Sequence, residues 1–182
     1  MKIPASAKRV FKGVIFDVYQ WEQEMFDGSM ATFERLKRPA TIQVIPVMGD
    51  KIILAREQQP LAEEKYSFIG GRQEEGETDL ETAKRELLEE TGLASDDWEL
   101  LWTYDSFGKM EWKMCVFIAR NCKKVAEQKL DPGEKIYPEE YTFDEFVEKV
   151  RSSTFLEKES SNLVYRMKAE GNIEELRKVL FK

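Results

Sequence analysis

The stretch from Gly70 to Leu93, GGRQEEGETDLETAKRELLEETGL, constrains this chain more than any other. It passes from a double glycine through one uninterrupted helical segment to a further glycine. Thr78, followed three residues later by Glu81, fits a capping box. No proline intervenes, and Leu80, Ala83, Leu87 and Leu88 supply an apolar stripe. Gly92 then ends the helix, so the spacing predicts a helix over residues 78–90. On it Glu86, Glu89 and Glu90 stand three and four residues apart and converge on one face. Like charges at that spacing cost roughly 0.2–0.5 kcal/mol per pair. A hard cation turns that cost into binding energy, and ligands that are all oxygen suit Mg²⁺ or Mn²⁺ better than zinc. Gly70 and Gly71 permit close backbone passage, and a carbonyl there offers one more oxygen. Arg85, four residues before Glu89, can steady it by an ion pair. Acidic helix faces are more often simply solvated, so the carboxylates alone leave both readings open.

The rest of the chain narrows the chemistry. There is no histidine among its 182 residues. Acid–base work therefore falls to carboxylate, lysine, tyrosine, cysteine or metal-bound water. With 28 basic and 35 acidic residues the formal charge is −7. That opposes a broad nucleic-acid or anionic-membrane surface but not a small phosphorylated ligand, because a bound ion inverts the local sign. Cys115 and Cys122 make no disulfide framework, which fits a reducing compartment. Neither a signal-peptide core nor a run of bilayer length is present, and the expectation is a cytoplasmic protein. Lys123 and Lys124 read as an ordinary solvated patch.

Along the chain, Val10–Tyr19 reads as a strand, Gln20–Asp27 as a connection ending in the Asp27-Gly28 turn, and Ser29–Lys37 as a returning strand. Residues 1–39 are thus a small antiparallel β element, either distinct from the core or a hairpin packed on it, and residues 40–182 the main domain. Ala40–Met48, Lys51–Ala55 and Tyr66–Ile69 read as strands, as do Trp98–Ser106 and Glu111–Ala119 around Gly108. Leu130–Glu134 reads as a loop, and helices are predicted over Thr142–Val150 and Asn172–Leu180. Strand–helix alternation is not sustained, which favours an α+β or mixed-sheet sandwich over a doubly wound fold.

Gly71, Glu77, Arg85, Glu86, Leu87, Glu89, Glu90, Gly92 and Leu93, with both fixed gaps between them, resemble the Nudix box at every defining position. The resemblance implies an α/β/α sandwich with mixed β-sheets. It implies hydrolysis of a nucleoside diphosphate linked to a further moiety, cut within the pyrophosphate, with Mg²⁺ or Mn²⁺ as cofactor. It makes Glu86, Glu89 and Glu90 metal ligands with the Gly70 carbonyl beside them, gives Arg85 the orienting of the carboxylates, and has Glu77 brace the loop.

The whole chain is most similar to the ADP-ribose pyrophosphatase branch, in its N-terminal β element, its Arg38-Pro39 entry to the core and its late acidic loop. That likeness implies a homodimer through the N-terminal strands and an aromatic residue there that stacks on the base. Trp21 leads Tyr19 and Phe26 for that role, against an even case for packing within the hairpin. It also implies that Glu134, in LDPGEKI, is catalytic or holds a further metal, with Asp131 assisting and Glu139 and Glu140 as rivals. Two departures are visible. REQQP at 56–60 stands where the branch has a Gln-aromatic-Arg run, leaving Arg56 as a displaced substitute. Ser106-Phe107-Gly108 stands in place of a Ser-Pro-Gly turn. Arg38, Arg56 and Gly108 complete the expected substrate contacts. ADP-ribose leads as substrate. GDP-mannose or another nucleotide sugar, a dinucleoside polyphosphate, a nucleoside triphosphate, and a non-catalytic nucleotide-binding domain are the rivals.

Overall fold

Every residue from Ile42 to Val47 is buried, so helices must cover this strand on both faces. The computed structural model describes residues 2–182, the side chains of Ser106 and Phe107 excepted. In chain order, strands β1 (Lys8–Lys12), β2 (Asp17–Glu24) and β3 (Met30–Lys37) form an antiparallel N-terminal meander. Next come β4 (Thr41–Met48), β5 (Lys51–Gln58), β6 (Lys65–Ser67), β7 (Ile69–Arg72) and helix α1 (Asp79–Thr91). A short β8 (Leu93–Ala94), the long β9 (Asp97–Phe107) and β10 (Met110–Arg120), β11 (Lys123–Lys124) and β12 (Lys135–Tyr141) follow. Three helices end the chain: α2 (Phe143–Val150), α3 (Lys158–Ala169) and α4 (Ile173–Leu180).

The main sheet is 10-stranded, along the path β1-β2-β3-β10-β4-β5-β12, with β6 on β5, β7 on β4 and β9 on β10. Two edges are shared end to end. β10 takes β3 at Met110 and Glu111, then β4 from Met114 to Ala119, in parallel both times. β4 takes β7 over Thr41–Val44, then β5 at Val47 and Met48. Pro46 stands at this change of partner, where its missing N–H leaves no donor to be satisfied.

Alternation then sorts the side chains. Ile42, Val44, Ile53, Ala55, Cys115 and Phe117 face α1 and meet Ala83 and Leu87. Ile45, Val47, Ile52, Leu54, Val116 and Ile118 point the other way, onto Phe146, Val150, Phe155, Val164, Leu176 and Leu180. This is the expected α/β/α sandwich with a mixed sheet. Several element boundaries differ from expectation. The strand expected over 10–19 is broken at Gly13, whose N–H donates to the Phe16 carbonyl, and β2 runs on through residues expected to be a connection. Leu88 is 40% exposed, off the buried stripe, whose face is completed by Thr82 and Thr91 instead. The strand β12 was hidden by Pro138 and its charges, which an edge strand tolerates. The helix α3 was hidden because Val164 is its one large buried apolar residue.

Glu157, immediately before α3, is a buried carboxyl that accepts the Phe68 N–H at 3.3 Å. Burial, against hydrogen bonds from backbone and Gln43 and with Glu57 adding repulsion, pushes its pKa up from 4.5 to about 8. A carboxyl raised on folding favours the folded state fully below pH 4.5 and loses that contribution as pH rises through about 8. Glu157→Gln, which cannot ionise, should therefore gain stability relative to wild type between pH 5 and pH 9. Urea unfolding at those two pH values measures the difference.

Candidate active site

The site is built outward from α1. Thr78 caps it, accepting from Glu81 N–H while the Glu81 carboxylate accepts from Thr78 N–H. Gly92 closes it in the left-handed region at φ 67°. Arg85 spends its donors on this segment. Its Nε and Nη2 reach the two oxygens of Glu77 at 2.7 and 3.1 Å, and Nη1 reaches Glu86 at 2.8 Å and Glu89 at 3.0 Å. Nη2 also donates to the Arg72 carbonyl at 3.1 Å. Glu77 accepts further from Glu74 N–H and the Thr82 hydroxyl, and Arg85 above all holds its pKa down to about 2.

Glu86 and Glu90 lie deeper. Burial pushes Glu86 up to about 7 despite Arg85, and puts Glu90 well above the ordinary carboxylate range despite a 2.8 Å bond from the Gly70 N–H. Backbone contacts require glycine at position 70, and a side chain at position 71 would displace the Glu86 carboxylate. A Cβ on Gly71 would stand 2.5 Å from the Glu86 carboxylate, and one on Gly70 would meet the Ile42 carbonyl at 2.1 Å. Gly70 is moreover at φ 145°.

The C-terminal end of α1 recruits the rest. Its last carbonyls lack helical partners. Lys129 N–H caps the Glu89 carbonyl at 2.8 Å, the Gln128 amide caps that of Glu90, and Lys124 Nζ caps that of Thr91. Lys124 is therefore a structural cap rather than part of a solvated patch. The same segment delivers Lys129, Asp131 and Glu134 over the helix, where Asp131 and Glu134 close a turn by hydrogen bonds in both directions.

These groups line a cavity of about 380 Å³. It holds the carboxylates Glu57, Glu74, Glu86, Glu89, Glu90, Asp131 and Glu134 against the cations Arg38, Arg72, Arg85 and Lys129. A cavity of about 500 Å³ beside α3 and α4 is larger, but Leu101, Trp102, Leu163, Met167 and Val179 dominate its wall. Chemistry selects the smaller one. Arg38 stacks over Trp112 at 4.5 Å and donates to Thr41, while its buried Nε has no partner. Among the described residues no three carboxylates or thiols are arranged as a ready cation site; Arg85 bonds one oxygen each of Glu86 and Glu89, and the Gly70 N–H one of Glu90. The donor set nonetheless fits a hard ion: oxygen throughout, with two carboxylates whose burial no adjacent cation fully offsets.

The structure brings Glu77, Arg85, Glu86, Glu89, Glu90, Gly70, Arg38, Asp131 and Glu134 together. It does not bring the others. Trp21 lies inside β2, 8% exposed, its ring 5.9 Å from Phe33 and its indole N–H on Gln23, and it borders a different hollow. Tyr19 is paired within the same meander, and Phe26 is fully exposed at the β2–β3 turn. Arg56 is tied to Glu139 at 2.6 Å and Glu64 at 2.7 Å and stacks over Tyr137, outside the cavity. Glu139 is spent on that pair and Glu140 is exposed on β12. Gly108 turns β9 into β10 away from the cavity, and the side chains of its neighbours Ser106 and Phe107 lie outside the described residues. Sequence reasoning missed Ile15, Glu57, Gln59, Arg72, Glu74 and Lys129. The REQQP departure was the signal for two of them: Glu57 and Gln59, not Arg56, reach the cavity.

A buried carboxylate cluster on a capped helix, faced by cations across a cleft, defines a site for phosphorylated substrates. The profile of the NUDIX domain matches residues 37–162, and the chain belongs to the Nudix hydrolase family. It is 29% identical over 149 residues to the ADP-ribose pyrophosphatase of Bacillus subtilis, covering 80% of each chain. It is 27% identical over 148 residues to the methanol dehydrogenase activator of Bacillus methanolicus, covering 79% of this chain and 80% of that one. The solved structure of an ADP compounds hydrolase shares the fold at a TM-score of 0.72 and 21% identity, over 92% of this chain and 95% of the other. No helix of the described residues is long and apolar enough to cross a membrane.

Arg85→Lys keeps the charge but not the fork. It should destabilise the metal-free protein by about 1–3 kcal/mol, measured by urea unfolding, and should speed amide exchange in residues 72–77 first.

Proposed function

We propose that this protein is a divalent-metal-dependent pyrophosphohydrolase of nucleoside diphosphate sugars, acting on ADP-ribose to give AMP and ribose 5-phosphate. The observation that carries the reading is the single cavity in which Glu86, Glu89, Glu90 and Glu134 face Arg38, Arg72 and Lys129. Carboxylates alone would repel a diphosphate, and cations alone would hold it without cutting it. The relatives named for ADP-ribose and ADP compounds support the same substrate class.

Glu86, Glu89 and Glu90 would hold Mg²⁺ or Mn²⁺, with the Gly70 carbonyl and Glu134 as further oxygens. When bound, the ion supplies charge neutralisation of the diphosphate and an acidified water. Arg38, Arg72 and Lys129 line the cavity and reach the diphosphate from its rim. Glu134, on a loop rather than the helix, orients the attacking water and takes its proton, since the chain has no histidine for that task. Arg85 is fully engaged with Glu77, Glu86 and Glu89 and so fixes carboxylates rather than substrate.

The N-terminal meander supports a homodimer. Val10, Phe11, Val14, Phe26 and Met30 are exposed there, and every residue of β1 is exposed. An uncovered edge strand that carries exposed Val10 and Phe11, with Val14 exposed just beyond it, offers a face to a second copy. Phe11→Asp should convert a dimer to a monomer in sedimentation velocity, whereas a monomeric wild type would overturn this assembly.

Glu90→Gln should lower metal-dependent turnover by at least about 100-fold while far-UV dichroism stays unchanged. Mass analysis of products from ADP-ribose, GDP-mannose, a dinucleoside polyphosphate and a nucleoside triphosphate tests the substrate. AMP with ribose 5-phosphate is expected, and preference for another member of the panel would reassign it.

A further inference from the structure

The backbone entering the site changes partner at one residue. Lys65–Ser67 pairs with β5, and Ile69–Arg72 pairs with β4. Phe68, between them, belongs to neither ladder, and its buried N–H must find an acceptor elsewhere. The chain after α2 supplies one. Tyr66 N–H donates to Thr154 O at 3.0 Å and Leu156 N–H to Tyr66 O at 2.8 Å, a parallel bridge centred on Tyr66 and Phe155. One step further the ladder should continue with a carbonyl opposite Phe68, but the chain turns into α3 there. The Glu157 carboxylate takes the place of that carbonyl and accepts the Phe68 N–H. The rings of Phe68 and Phe155, 5.0 Å apart, lock the same junction from the other side.

The buried Gln43 side chain faces Glu157 and favours its charged form. Gln43 is the residue opposite Gly70 in the β4–β7 register. One carboxyl group thus holds the backbone two residues before Gly70. Gly70 in turn donates its N–H to Glu90. Among the described residues no lysine or arginine forms an ion pair with Glu157, and Glu57, which lines the cavity, acts on it by repulsion. A buried carboxyl without a cation is costly to keep, and packing alone would favour an apolar residue. We infer that Glu157 is a positioning residue of the active site, which holds the Phe68–Gly70 strand switch so that the Gly70 amide stays on Glu90. It touches neither substrate nor metal; it acts through the backbone. The inference rests on the proposed hydrolase reading only for its effect on turnover.

Two substitutions in the full-length protein separate reach from charge. Glu157→Gln keeps an acceptor at the same distance and cannot ionise; Glu157→Asp keeps an ionisable carboxyl group and withdraws the acceptor. Amide hydrogen exchange at Phe68 and Gly70, in the metal-free protein, is read beside kcat and KM for ADP-ribose with Mn²⁺. In Glu157→Asp both amides should exchange at least about tenfold faster, the loss of one buried hydrogen bond, and kcat should fall with KM unchanged. Glu157→Gln should match wild type in both readouts within about threefold. Wild-type exchange at Gly70 in Glu157→Asp would overturn the assignment, as would equal damage in the two variants. If the wild type leaves ADP-ribose intact, the substrate reading fails while the exchange comparison still decides the role of Glu157.

Discussion

The guanidinium of Arg85 is the interaction on which the site's shape depends. Three carboxylates, Glu77, Glu86 and Glu89, and the Arg72 carbonyl all meet one planar fork. Two of those acceptors come from α1 itself, one from the loop before it and one from the end of β7, so a single residue sets the distance between strand, loop and helix. Lysine could neutralise the same charge but could not span those directions at once. The cost of gathering acidic groups under a sheet is offset here without consuming every oxygen, and what is left over faces the cavity.

The other end of the helix shows the same economy. Carbonyls that a helix cannot satisfy are satisfied by the segment that must reach the site anyway. Lys129 N–H, Gln128 and Lys124 cap Glu89, Glu90 and Thr91, and the loop carrying Asp131 and Glu134 is thereby fixed over the carboxylates. Gln128 also bonds the Ile136 carbonyl, tying this cap to the start of β12. A loop that read from sequence as merely acidic is placed by backbone valence.

What was legible in the sequence was whatever local rules determine. The capping box at Thr78, the left-handed stop at Gly92 and the carboxylate face follow from spacing alone, whereas the need for glycine at position 70 lies in backbone contacts with Ile42 and Gln43 across the sheet. Long-range pairing was not legible. Trp21 is a strand residue because β3 lies beside it, and nothing in its own neighbourhood says so. Arg56 looked available for substrate because its partner Glu139 is far along the chain, in an unrecognised strand. Glu57 and Gln59 enter the cavity by the phase of β5, a property of the sheet. Glu157 could not be singled out at all: its acceptor role exists only because β6 and β7 pair with different strands.

The junction between β3 and β10 is two residues wide, reinforced by the stacking of Arg38 on Trp112. A joint of that width resists stretching better than twisting. Ile15 stands on the outer side of it and edges the mouth of the cavity, Arg38 sits at the joint itself, held to Thr41 and Trp112, and the carboxylates stand on the inner side, anchored by α1. The aperture through which a ligand passes is thus governed by whatever restrains the outer meander, and the strength of the ion-binding floor is governed by the helix. Grip and floor can drift independently, so a chain of this design can alter which molecule it admits without disturbing how it holds charge.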